Sequence, residues 1–228
     1  MTVRRARPEE WAVLRELRLR ALADAPDAFA SKLADEAAAP EEMWRRRADG
    51  GPGVINLIAE ARGSRGPAWP PAGADGPTAT GATTGATTGG ATTGATTGGD
   101  TTTVATTGDG TTSVGTTGDG TTRGGEGGVG MATVRLEPDA GGRAHLVGMW
   151  VDPGYRGHGV AMALLDHAVG WARERGAGEM VLWVADHNTA ARRLYERAGF
   201  VATGDRQPLP SNPALPESML RLDLSCGP

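Results

Sequence analysis

Two short stretches in the C-terminal half of this sequence hold residue types and spacings that could do chemistry. The first is Arg156-Gly157-His158-Gly159-Val160-Ala161, which opens a run of apolar residues at helical spacing. Glycines at 157 and 159 let backbone N–H groups approach phosphate oxygens, and the unpaired amides at a helix start point the same way. The arrangement is an anion cradle, with a helix-dipole contribution of about 0.3–1 kcal/mol per contact. Arg156 can add a charge-assisted hydrogen bond, while His158 offers its backbone rather than its ring. The second stretch runs from Asn188, a helix-capping residue type, through Ala191 and Tyr195 to Gly199 and Phe200. His145, His158, His167 and His187 have no metal-ligand spacing, so no metal is expected. The tryptophans at 11, 44, 150, 171 and 183 are spread over separate elements and read as core rather than as a nucleobase-stacking platform.

These residues need a scaffold, and the sequence describes one. Residues 144–151 (AHLVGMWV) read as a strand that ends at Asp152-Pro153-Gly154. Ala161, Leu164, Leu165, Ala168, Val169 and Ala172 then share one face of a helix over 159–175, closed by Gly176 and Gly178. A buried strand at 180–185, a helix at 189–198 capped by Asn188, and a strand at 200–203 follow. Residues 207–217 hold four prolines and are expected to be a loop, with a last strand at 219–224. On the N-terminal side a strand at 2–5 leads into a helix over 8–23 with Pro8, Glu9 and Glu10 in its first turn. A break at 24–27, a short helix at 41–48 and strands at 54–61 and 129–136 complete the pattern. The order is α+β around one mixed sheet.

Between the last two strands lies a tract of a different kind. Residues 81–89 (GATTGATTG) recur unchanged at 90–98, and two ten-residue repeats span 105–124. With almost no large apolar side chain, the tract cannot offset an ordering cost of about 1–2 kcal/mol per residue, so residues 63–127 are expected to be disordered. A threonine-faced solenoid is the other reading of short repeats; the drift in period from nine to ten residues argues against it. The expectation is one domain over 1–228, interrupted at 63–127 by a Gly/Thr-rich low-complexity insertion.

Formal net charge is −4, which removes the electrostatic case for nucleic acid as a partner. The sequence has no signal-peptide pattern after Met1 and no run of about 18 apolar residues, so no membrane partner is expected. Cys226 is the only cysteine, which rules out an intramolecular disulfide within this sequence and fits a reducing, cytoplasmic location.

Arg156-x-x-Gly159-x-Ala161, placed between a strand ending in Val151-Asp152-Pro153 and a long helix, resembles the R/Q-x-x-G-x-G/A signature of the GNAT N-acetyltransferase family. Asn188-Thr189-Ala190-Ala191 with Leu194-Tyr195-Glu196-Arg197-Ala198-Gly199-Phe200 resembles the family's second signature, N-x-x-A-x-x-x-Y-x-x-x-G-F. The resemblance covers residues 146–203 closely and 2–62 and 219–224 more loosely; the insertion has no counterpart. It implies a mixed, splayed β-sheet flanked by helices, with acetyl-CoA as co-substrate wedged between the strands at 144–151 and 180–185. The backbone of Met149, Trp150 and Val151 would pair with the pantetheine arm. The pyrophosphate would rest on Arg156, Gly157, His158, Gly159, Val160 and Ala161, and Asn188 and Ala191 would border the cofactor arm.

Tyr195 would face the sulfur, as the general-acid candidate for a direct attack of a neutral amine on the thioester. A phenol of pKa about 10 giving its proton to a thiolate of about 8.5 is uphill by about 2 kcal/mol, so concerted transfer or a pKa shift is required. The alternative role for Tyr195 is packing beside Leu194. An N–H near Val151 is the oxyanion donor the resemblance implies. Glu60 is one match for a base on an early strand, a solvated strand residue the other. Asp24, Asp27, Asp35 and Glu36 read as a solvated acidic surface or as an attractor for a cationic amine.

The acceptor, which the resemblance implies is shaped by the first two helices and by residues 207–217, is expected to be a primary amine of a small molecule or a polypeptide, and a homodimer is left open. Two other functions compete: a non-catalytic acyl-CoA-binding module, and an interaction protein working through the Gly/Thr repeat.

Overall fold

The computed structural model describes residues 1–61, 128–137 and 142–225. Its strands are β1 (Thr2–Arg5), β2 (Val54–Glu60), β3 (Gly128–Glu137), β4 (Arg143–Val151), β5 (Glu179–Ala185), β6 (Val201–Leu209) and β7 (Asn212–Asp223). Its helices are α1 (Trp11–Asp24), α2 (Leu33–Ala37), α3 (Glu41–Asp49), α4 (Val160–Glu174) and α5 (Thr189–Arg197). The strands form one seven-stranded sheet in the order β1-β2-β3-β4-β5-β7-β6. Every neighbouring pair is antiparallel except β4 with β5. A parallel pair needs a long crossover, and α4 supplies it.

The apolar stripe read from the sequence explains where α4 sits. Leu164, Leu165, Ala168, Trp171 and Ala172 are buried in one core with Leu57, Val134, Leu146 and Met180. The helix stops where Gly176 takes a positive φ and the Ala177 N–H turns back to the Ala172 carbonyl at 3.0 Å. A second core joins Leu14, Leu17, Ala21 and Leu22 of α1 to Ile58, Met131 and Trp150. Both sheet faces at β2 to β4 are therefore covered, which is why β2 is buried over five successive residues rather than at alternate ones.

Two features open the middle of the sheet. β4 and β5 pair at only three positions, Arg143 with Glu179, Ala144 with Met180 and His145 with Val181, and then diverge. On the other side of β4 the register passes from Met131–Trp150 to Thr133–Val147, so Ala132 stands against both Gly148 and Met149. This is a β-bulge, and Gly148 takes φ +64° within it. β5 stays paired with β7 along its full length, from Glu179–Asp223 to Ala185–Glu217. The sheet is thus splayed where the sequence placed the opening.

The structure corrects the C-terminal expectation. Residues 207–217 are not a loop: β6 and β7 form a long hairpin joined at Pro210 and Ser211. The prolines are tolerated because of where they fall. Pro208 lies on the edge strand and stands opposite Pro216. Pro213 and Pro216 lie beyond Glu217, the last β7 residue that pairs with β5. The five-residue α2 is a second element without an expectation. The Gly/Thr-rich tract expected to be disordered at 63–127 lies outside the described residues, as does Cys226. No helix among the described residues is long and apolar enough to cross a membrane.

Candidate active site

The turn after β4 builds the anion cradle from local interactions. The Asp152 carboxylate accepts from the Gly154 N–H at 2.9 Å and Tyr155 N–H donates to the Asp152 carbonyl at 2.9 Å, fixing a single turn at Pro153–Tyr155. Gly157 and Gly159 both take φ +79°, a conformation that L side chains rarely adopt, and the space a Cβ would occupy at each is open. The first backbone bond that closes α4 runs from Ala163 to Gly159 at 3.0 Å. Among the described residues, the N–H groups of Gly157, His158, Gly159, Val160, Ala161 and Met162 donate to no acceptor, and Gly159 supplies no side-chain cap. Six successive donors beside open space fit an oxyanion-rich group such as a pyrophosphate.

Arg156 is occupied differently from the expectation. Its Nε donates to the Val151 carbonyl at 3.1 Å and its guanidinium pairs with Asp24, which also accepts from Trp150 Nε1 at 2.8 Å. Arg20 pairs with Asp152. Two arginine–aspartate pairs therefore clamp α1 to the exit of β4, and Arg156 shapes the cradle rather than reaching over it. Trp150 buries its indole on the α1 side and Val151 its side chain on the α4 side, so neither side chain is offered to a ligand.

The splay opens into a cleft of about 610 Å³. Met149, Asn188, Ala191 and Tyr195 line it; Trp150, Val151 and the cradle residues 156–161 lie outside it. The Asn188 carbonyl oxygen accepts from Ala191 N–H at 3.1 Å, which fixes the start of α5 and brings Tyr195, one turn past Ala191, onto the wall. Tyr195 is buried and tilted against Phe200 with ring centroids 5.7 Å apart, and burial pushes its phenol well above the ordinary value of 10. Packing and chemistry are both open to it. Beyond His145 the β5-facing edge of β4 has no strand partner among the described residues, which leaves main-chain groups for an extended ligand.

The far wall is built from the first helices and residues 207–217, where the resemblance puts the acceptor, and there sequence reasoning named no base. Glu217, in the supposed loop, lines the cleft at 6% exposure and accepts from Gln207 Nε2 at 2.7 Å. Desolvation raises its pKa against the opposing effect of Gln207. Glu36 is also buried rather than solvated: it accepts from Ser31 Oγ at 2.7 Å and pairs with Arg47 and, at 3.5 Å, with Arg18. Glu60 is drawn away from the cleft into an ion pair with Arg4 at 2.5 Å, which Glu10 shares at 2.7 Å. Asp27 accepts from Asn212 Nδ2 at 3.1 Å, tying the break after α1 to the β6–β7 hairpin.

A mixed sheet forced apart at its one parallel pair, with a glycine-shaped N–H cradle at the next helix, defines the GNAT acetyltransferase fold. Residues 121–200 match the model of the Acetyltransferase (GNAT) family. Its sequence is 46% identical over 54 residues to the streptothricin acetyltransferase of Streptomyces lavendulae, covering 24% of this chain and 29% of that protein. The chain matches less than a third of the length of each of its curated relatives. Among solved structures, the GNAT acetyltransferase of Streptococcus pneumoniae superposes with a TM-score of 0.59 at 15% identity, over 97% of this chain and 98% of that one. The yncA protein of Salmonella typhimurium, solved with its cofactor acetyl-CoA, gives a TM-score of 0.55 at 16% identity, over 100% and 96% of the two chains.

Proposed function

We propose that the protein is an N-acetyltransferase that moves the acetyl group of acetyl-CoA to a primary amine by direct attack. The observation that carries this reading is the run of six N–H donors from Gly157 to Met162, at the helix that follows an unpaired strand edge and a cleft holding Tyr195. In this reading acetyl-CoA supplies the activated acyl carbon, and everything else is done by the chain. Amides 157–162 hold the diphosphate, the open edge of Met149 to Val151 aligns the arm, and Asn188 with Ala191 borders it.

Glu217 takes the proton of the incoming ammonium, since a neutral amine is the nucleophile. It lines the cleft and, among the described residues, has no arginine partner, unlike Glu36. Tyr195 donates to the sulfur as the C–S bond breaks. Its buried phenol stays protonated, which suits a donor and not a base. The same reading makes residues 1–228 one cytoplasmic domain with an insertion at 63–127.

Calorimetry with CoA tests the cradle. Gly159→Glu puts a carboxylate where the diphosphate would lie, and loss of CoA uptake by protein that still folds, less stable only by the about 1–2 kcal/mol of a side chain at positive φ, is the expected result; unaltered uptake would sink the assignment. Thiol release from acetyl-CoA with a panel of amines then separates an enzyme from a non-catalytic CoA binder.

A further inference from the structure

The acceptor half of the cleft is charged in a way the rest of the chain is not. Arg18, Arg46, Arg47 and Arg135 line it, against the carboxylates of Glu36 and Glu217 alone. His145 also lines it, and burial lowers its pKa despite Glu137 beside it, so it adds no cation near neutral pH. The chain as a whole carries a formal −4, so this excess of arginine is local.

Arg18 is the unusual member. Its side chain is 16% exposed, stacked at 4.6 Å over the Phe29 ring. Its one carboxylate, Glu36 at 3.5 Å, is shared with Arg47. Nη2 donates to Ser31 Oγ at 2.7 Å, while Nη1 and Nε donate to nothing among the described residues. Nη1 lies 3.3 Å from where a Cβ on Gly148 would stand, so the bulge glycine makes room for the guanidinium at the cleft wall. A half-neutralised guanidinium taken out of water, with free donors in its fork, is an unsatisfied group that a carboxylate or phosphate would complete. Glu217 stands at nearly the same height across the opening. Counting from the His145–Val181 pair, Gly148 is three residues along β4, and Ala185, the partner of Glu217, is four along β5.

We infer that the acceptor is a small amine that carries its own anionic group, a carboxylate or a phosphate, with the anion on Arg18 and the amine facing Glu217. This rests on the transferase reading above and narrows it: the cleft selects short amino acids or amino phosphates and disfavours polyamines.

The test offers the full-length protein matched amines with acetyl-CoA: glycine and β-alanine against their amides, 2-aminoethyl phosphate against 2-aminoethanol, and spermidine. CoA uptake is measured on the same material. An acid-bearing member should exceed its neutral partner in kcat/KM by about tenfold or more, the span of one charged hydrogen bond. The carboxylate and phosphate arms identify which anion is read. Arg18→Gln should erase the ratio between acid-bearing and neutral amines, chiefly through the KM of the acids, and Arg18→Lys should keep part of it. CoA uptake by both variants certifies their folding. Where turnover is slow, calorimetric titration of the same panel into CoA-loaded protein reads the preference directly. CoA binding with neutral amines or spermidine taken as well as the acids, by turnover or by binding, overturns this inference alone. Absence of CoA uptake by the unaltered protein overturns the transferase reading and this inference with it.

Discussion

In the proposed reaction Tyr195 and Glu217 divide the proton work, and their surroundings set the sign of each effect. Burial raises the Tyr195 phenol, so full transfer to a thiolate is costlier than the reference difference of about 2 kcal/mol, and the donation must accompany bond cleavage. Tyr195→Phe should therefore lower kcat by about 10²-fold or more with CoA affinity nearly unchanged; thiol-release kinetics beside calorimetry check it, and an unchanged kcat would make Tyr195 a packing residue. Glu217 must be ionised to accept a proton, and desolvation raises its pKa. Activity should rise with pH through that raised pKa and fall away below it. Glu217→Gln should flatten this acidic limb of the kcat/KM profile and lower kcat by about 10²-fold or more; a limb that survives the substitution would assign the base elsewhere.

At the scale of elements, α4 offers two glycines whose substitution by alanine should act in opposite directions. Gly159 sits at φ +79° with open space around a would-be Cβ, so Gly159→Ala loses about 1–2 kcal/mol of backbone energy and no contact. Gly170 lies inside the helix with nothing within 4 Å of its would-be Cβ, so Gly170→Ala should gain about 0.5–1 kcal/mol. Thermal unfolding of the two variants should bracket the parent, and only Gly159→Ala should weaken CoA. The same helix was legible in sequence because Leu164, Leu165 and Ala168 repeat at its period and glycines bound it at both ends. The hairpin of β6 and β7 was not legible, since four prolines outweigh any alternation until it is known which strand is the edge. Glu217 was hidden with it. Arg18 was hidden for another reason: on α1 it is one of several arginines, and only the bulge at Gly148, a register fact, makes it a cleft residue. Cradle glycines and the Asn188 cap could be read because their chemistry is local; the resemblance pointed to the segments of the far wall, but the wall's individual side chains on α1, α2, α3 and β7 come from parts far apart in the chain and could not be singled out.

The whole molecule is held at its N-terminal side by ion clusters that tie its response to acid. Arg4 holds the Glu10 carboxyl down to about 2, against an ordinary 4.5. At Glu36, burial pushes upward, but Ser31, Arg47 and Arg18 together outweigh it and leave the carboxyl below its usual range. Depressed folded-state values contribute stability that is complete above pH 4.5 and is lost as pH falls towards 2. Denaturant midpoints should accordingly drop across that window, and Glu36→Gln should make the drop shallower. The insertion bears on stability in the opposite sense. Glu60 pairs directly with Gly128, so 67 residues, from 61 to 127, close a hairpin whose ends are adjacent strand partners. Closure entropy grows with the logarithm of length, so replacing this tract by a turn of about five residues should stabilise the fold by about 2 kcal/mol and raise Tm by roughly 5 °C. CoA uptake should be unchanged, because the cradle, the splay and Tyr195 lie on β4, β5, α4 and α5. A fall in Tm would mean that the Gly/Thr tract contributes contacts of its own, and lost turnover with CoA binding retained would make it part of the acceptor site.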